Sequence, residues 1–165
     1  MEKEKKEFPE KIISLDRVTR VVKGGRRFRF RATVVVGDGM GKVGVGIGKG
    51  KDAPTSIIKA VNKAQKDIIE VNLSGSTIPH DIQVSFGGAT VLLKPASEGT
   101  GVIAGGAVRS VVEAVGIRDL LTKALGSNNK INNAYATITA LSKLRLMEKD
   151  KKVSSEKSAK KVVKK

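Results

Sequence analysis

Arg17-Val18-Thr19-Arg20-Val21-Val22-Lys23-Gly24-Gly25-Arg26-Arg27-Phe28-Arg29-Phe30-Arg31 carries Arg17, Arg20, Lys23, Arg26, Arg27, Arg29 and Arg31 with no acid among them. It reads as two β-segments meeting at Gly24-Gly25, since glycine tolerates the backbone angles of a tight hairpin turn. In the second segment Arg27, Arg29 and Arg31 fall on one face and Phe28, Phe30 and Ala32 on the other. The arginines are expected to face out and the phenylalanines to face a core. A row of guanidinium groups on one rigid edge matches phosphate.

Outward from the hairpin, the first strand covers Lys11 to Val22 and the second about Arg26 to Val36. After the turn Gly37-Asp38-Gly39-Met40-Gly41, Val43, Val45 and Ile47 alternate with Gly44, Gly46 and Gly48. The bare glycine face admits another backbone, either an element of this chain or RNA. A helix follows, with Asp52 as its cap, Pro54 in its opening turn and a stripe of Ile57, Val61, Ala64 and Ile68. Lys59, Lys63 and Lys66 lie opposite that stripe and read as a solvated face. Asn72 to Thr77 reads as a polar linker.

Beyond it, Ile82 to Phe86 and Thr90 to Lys94 flank Gly87-Gly88 as a hairpin. A glycine-rich run leads into a helix carrying Val108, Val111, Val112 and Val115, which Gly116 ends. A strand near Ile117 to Leu125, a loop, and a helix with Ile131, Tyr135, Ile138 and Leu141 complete the order. The expected chain is α+β with two small domains, the first a three-stranded antiparallel sheet plus helix and the second a mixed sheet with two helices. The expected limits are a charged arm over 1–10, domains over 11–74 and 75–147, and a basic disordered tail over 148–165.

The chain has 165 residues, 32 basic and 16 acidic, a net charge of +16 and a pI near 10.2. Such an excess favours a polyanionic partner, nucleic acid first, over a solvated surface with no partner. Aromatic residues are only 3%, which argues for backbone and shape recognition over base stacking. With no cysteine and His80 as the single histidine, one chain cannot build a zinc site, a Cys nucleophile or a His-based triad. No metal or cofactor is expected, and His80 reads as a structural or exposed loop residue. The arm lacks an apolar core and no later run has membrane-spanning length, so a cytoplasmic protein without membrane contact is expected.

Two glycine motifs invite phosphate chemistry. Gly39-Met40-Gly41-Lys42-Val43-Gly44 matches the dinucleotide fingerprint, yet it precedes a strand where that motif opens a helix. Pro95-Ala96-Ser97-Glu98-Gly99-Thr100-Gly101 precedes a helix whose free N–H groups suit an anion. It resembles the phosphate loop of the galactokinase, homoserine kinase and mevalonate kinase superfamily, with Val102 and Ile103 where that loop has serines.

Val18 to Arg26, Val36 to Gly39, Gly44 to Lys49 and Pro95 to Arg109, in this order and spacing, closely resemble the bacterial small-subunit ribosomal protein number five, the S-five family. The match runs from about Lys11 to Leu146. The resemblance implies a first domain akin to a double-stranded RNA-binding module without its first helix. It implies a second domain of the kind shared with those kinases. It also implies a position where head and body of the small subunit meet, contact with small-subunit proteins four and eight, and a part in translational accuracy. In that family the hairpin tip reaches rRNA and is where spectinomycin resistance arises, which points to Thr19, Arg20, Lys23, Gly24 and Gly25.

The rRNA-binding set expected here is Arg17, Thr19, Arg20, Lys23, Gly24, Gly25, Arg26, Arg27, Arg29, Arg31, Lys42, Lys49 and Lys51. The turn of Glu98, Gly99, Thr100, Gly101, Gly105 and Gly106 is a further contact, to rRNA or protein. mRNA near the entry channel is a further partner considered, beside the expected ones. The leading reading is a noncatalytic rRNA-binding protein of the small subunit. Its rivals are a free RNA chaperone or regulator and, more remotely, a small-molecule phosphotransferase using Gly99 and Gly101.

Overall fold

The computed structural model describes residues 8–145. Residues 1–7 of the expected arm and the whole expected tail lie outside them. β1 (Glu10–Val22), β2 (Gly25–Gly37), β3 (Lys42–Gly50) and β4 (Ile69–Glu70) form one antiparallel sheet in that order, with α1 (Ala53–Lys66) between β3 and β4. β4 adds a two-residue strand to the three expected, because Lys42 and Val43 pair with Glu70 and Ile69 as the chain returns from α1.

One face of this sheet packs on α1. Ala32, Val34 and Val36 meet Ala60 and Ala64 there, and Phe8, from the stretch read as an arm, joins them. The glycine stripe of β3 lies under the same helix. A Cβ built on Gly44 would come within 2.1 Å of the Ala64 carbonyl oxygen, one on Gly46 within 2.1 Å of the Ala60 oxygen, and one on Gly48 within 2.2 Å of the Ser56 oxygen. Two strand residues advance about 6.7 Å and four helical residues about 6 Å, so each glycine meets one small residue of the helix in step. Of the two occupants considered for the bare face, the helix is the one present. The line of contact is Ser56, Ala60 and Ala64, one position off the Ile57-Val61 edge that hydrophobicity emphasised. Asp52 takes the N-cap position without a side-chain capping bond.

The second sheet has the order β5 (Ile82–Phe86), β6 (Ala89–Pro95), β8 (Leu120–Gly126), β7 (Val102–Ile103), with α2 (Gly106–Val115) between β7 and β8 and α3 (Lys130–Ser142) last. β7 runs parallel to β8 and makes the sheet mixed. α3 packs on β5 and β6, whereas α2 packs on α3 and also on β1, β2 and β3. Val35, Val43 and Val45 therefore share one buried cluster with Val108, Val111, Val112, Leu93 and Leu141.

Glycines close the join between the two sheets. The N–H groups of Gly39 and Gly41 donate to the carbonyls of Ala114 (3.1 Å) and Val115 (2.9 Å), which the last turn of α2 leaves without helical partners. Gly116 ends that helix at φ 94°. The Asp38 carboxylate accepts from the N–H of Met40 (2.7 Å) and Lys42 (2.9 Å). The dinucleotide lookalike is thus a turn whose donors are all engaged inside the protein. The stretch read as a linker is also pinned, because Ser76 O accepts from the N–H groups of Arg118 and Asp119.

Candidate nucleic-acid interface

β3 stops at Gly50, opposite Phe30, so Gly25 to Arg29 of β2 and their partners on β1 continue as a two-stranded finger. Five residue pairs at about 3.4 Å each carry it roughly 17 Å past the sheet. Its turn is Lys23-Gly24, with Gly25 at φ 120°. Arg20 stands directly across from Arg27, Val18 from Arg29, Asp16 from Arg31, and Lys49 from Arg31. All of these belong to the face away from α1.

That face forms an open groove of about 390 Å³, lined by Val18, Arg20, Val22, Arg27, Arg29, Arg31 and Lys49, and also by Thr19, which by register belongs to the other face. Arg20 facing Arg27 and Arg31 facing Lys49 are like-charge cross-strand pairs, which destabilise a ladder unless an anion lies between them. The carboxylate that reaches this face is Asp16, bonded to the Arg31 guanidinium at 3.1 Å. Arg31 is half-buried while Arg20, Arg27 and Arg29 are exposed. The result is a cationic trough anchored at its inner end, with apolar Val18 and Val22 in its floor.

The remaining residues of the expected set divide. Arg17 and Arg26 occupy the opposite face of the finger, and Lys23 and Gly24 form its tip. Lys51 is exposed just before α1. Lys42 is not part of the groove: it pairs with Glu70 at 3.2 Å, seven residues and about 23 Å down β3 from Lys49.

Phe28 corrects the expectation of a buried aromatic face. It is 47% exposed, and the Arg17 guanidinium covers its ring at 3.9 Å. α1 begins at Ala53, past the end of β3, so nothing in the sheet's core reaches that far out. Phe30, at the end of β3, is half-buried.

The second glycine run is corrected as well. β7 separates Gly101 from α2, so the run does not open the helix. Its donors turn instead on Asp119, which is 4% exposed. The Gly101 N–H donates to Asp119 Oδ1 at 2.9 Å. The Ser76 hydroxyl, then the Gly101 N–H, hold this carboxyl below its ordinary value of 3.8, with Gly99 and Thr100 adding to the effect and burial opposing it. An internal carboxylate sits where a phosphate loop would hold phosphate, and this leaves the phosphotransferase reading without its anion site. Glu98, Gly99 and Thr100 are exposed and Gly101 half-buried. Gly105 and Gly106 are exposed at the start of α2, where Arg109 donates to Val102 O at 2.9 Å.

Sequence reasoning missed Asp16 and Asp119. For Asp119 the sequence offered little signal, since it stands beside Arg118 at the entrance to the strand and reads as one of an ordinary exposed charge pair. His80 is structural: its Nε2 accepts from the Arg145 N–H at 3.2 Å and its Nδ1 faces Asp81 O at 2.8 Å, which fixes the Nδ1–H tautomer. No cluster of ligating side chains fit for a metal occurs among the described residues. None of the described helices is long and apolar enough to cross a membrane.

Residues 8–72 match the family model for the ribosomal protein S5 N-terminal domain, and residues 84–155 the one for the S5 C-terminal domain. The chain is 58% identical over 141 residues to the small ribosomal subunit protein uS5 of Campylobacter jejuni serotype O:23/36, covering 86% of this chain and 96% of that one. The same identity and coverage hold for the proteins of that name from serotype O:6 and from strain RM1221. Matched over both halves and across most of its length, the chain belongs to the ribosomal protein S5 family, whose members are structural proteins and not enzymes.

Proposed function

We propose that this protein is a structural constituent of the cytoplasmic small ribosomal subunit that binds small-subunit rRNA through the groove of its finger. The observation that carries this reading is the trough of Arg20, Arg27, Arg29, Arg31 and Lys49, with two like-charge cross-strand pairs and Asp16 at its inner end. Phosphates passing along the trough relieve that repulsion, and contact through the backbone adds affinity with little sequence preference. A ribbon fixed at its base to a packed sheet holds the bound RNA at a set distance from the rest of the protein. This suits a part that keeps head and body in one relative orientation and so contributes to accuracy.

Lys23, Gly24 and Gly25 at the tip make the outermost RNA contacts in this reading, and Thr19 adds one further down the finger. Arg17, Arg26 and Lys51 flank them, and the exposed turn at Glu98 to Thr100 with Gly105 and Gly106 meets a neighbour. Small-subunit proteins four and eight and the incoming mRNA are the further partners. The division at 74–75 separates an RNA-holding domain from a docking domain that shares its core.

The protein is expected to cosediment with the small subunit through a moderate salt wash, and a chain left at the top of the gradient refutes the proposal. Arg27→Gln with Arg29→Gln should weaken binding and lower the slope of log affinity against log salt by about 1.8 if both contact duplex phosphates. Duplex binding of equal strength with and without ribosomal sequence context would favour a free RNA chaperone instead.

A further inference from the structure

We infer that Arg17 and Phe28 form a stacking ledge for one unpaired nucleobase, on the side of the finger opposite the groove. The inference rests on the RNA-binding reading above and adds a second kind of contact to it. Phe28 belongs by alternation to the face that α1 covers, yet the finger carries it beyond the helix and leaves it 47% exposed. The Arg17 guanidinium carbon lies 3.9 Å from the ring centre. Thr19 stands directly across the ladder from Phe28. Among the described residues no carboxylate pairs with Arg17.

A guanidinium packed on an aromatic ring gives two surfaces that accept a base, because bases stack on aromatic rings and on arginine planes alike. The ring also holds the cation in place before RNA arrives, which lowers the ordering cost of binding. Arg26 lies two residues from Phe28 on the same face and is exposed, about 7 Å along the strand and within reach of the phosphate of a stacked nucleotide. Val21, 73% exposed and opposite Arg26, extends the apolar rim. An apolar plate flanked by the cations Arg17 and Arg26 complements an anionic nucleotide better than it does a neutral or basic protein surface. The base must be unpaired, since a paired one has both faces covered by its neighbours in the stack.

The test uses the full chain and two fluorescent RNA hairpins that differ only by a single bulged adenosine. The wild-type protein should bind the bulged hairpin about tenfold more tightly, within the range that one stacked base supplies. Phe28→Leu keeps an apolar side chain and removes the ring. It should erase the preference while leaving affinity for the plain hairpin and the salt slope unchanged. Arg27→Gln with Arg29→Gln should weaken both hairpins and keep the preference. Ultraviolet crosslinking of the wild-type complex should place the bulged adenosine on Phe28. If Phe28→Leu retains the preference, or if the wild type binds both hairpins alike without a crosslink at Phe28, the ledge is wrong while the groove reading survives. If neither hairpin binds, both fall together.

Discussion

Gly46→Ala tests whether the glycine face of β3 belongs to α1. The added Cβ would lie 2.1 Å from the Ala60 carbonyl oxygen, 2.5 Å from the Ala64 nitrogen and 3.1 Å from the Ala64 Cα. All three are backbone atoms, so no side chain can swing aside. Reaching ordinary contact with the oxygen requires about 1.3 Å of separation, and a gap of 0.5 to 1 Å already forfeits roughly a quarter to a half of the dispersion energy of the facing atoms. Gly44 and Gly48 lock the helix on either side, so a local tilt relieves little of the clash. Overpacking of this kind costs about 1–3 kcal/mol and sometimes more, and a contact confined to backbone belongs at or above the upper end. The gain from restricting the unfolded chain, about 0.4–1 kcal/mol, offsets a small part. We expect a net loss of about 3 kcal/mol, or roughly 6–12 °C in melting temperature for a chain of this size. Gly24→Ala is the matched control, since a Cβ at Gly24 would meet no atom within 4 Å and the residue lacks a positive φ. Urea and thermal unfolding of the full chain give the comparison. If Gly46→Ala and Gly24→Ala both unfold within about 0.5 kcal/mol of wild type, the close sheet–helix contact is wrong and the bare face is open to another partner.

Other expectations follow from neighbouring features. Gly25→Val should destabilise the finger by about 1–2 kcal/mol through its φ of 120° alone, since nothing crowds the site; unchanged amide chemical shifts from Thr19 to Phe28 would count against that. Gly116→Ala joins a φ of 94° to a Cβ 2.0 Å from the Gly39 oxygen, and should cost about 3 kcal/mol or more while releasing amide exchange protection at Gly39 and Gly41. Asp119 has its folded pKa below 3.8, so its contribution to stability is fully present above that value and is lost as pH falls through the folded one. The stability gap between wild type and Asp119→Asn should therefore be flat at neutral pH and narrow as pH falls below the ordinary value of 3.8. A gap that stays constant to the acid limit would show that the charge is not what Ser76 and Gly101 hold.

What could be seen in the sequence was what depends on residues close together in the chain. The finger turn, the arginine alternation and the stop at Gly116 are local, and the glycine spacing of β3 announced a close approach. Alternation sorted Phe28 onto a face but said nothing about whether that face is covered at that height. Coverage depends on β3 ending at Gly50 and α1 starting at Ala53, and on a register that pairs Phe30 with Gly50. The carboxylate of Asp119 is eighteen residues from the loop it fills, so the Pro95 to Gly101 run looked open to an outside anion. Both misreadings have one cause, because a motif shows which groups a segment offers and only the fold shows which of them another segment has already taken. The groove escaped this error because its competitor, Asp16, meets Arg31 at the inner end and leaves Arg20, Arg27 and Arg29 exposed. Its cations remain offered to a partner for the same reason that the glycine loop's donors do not.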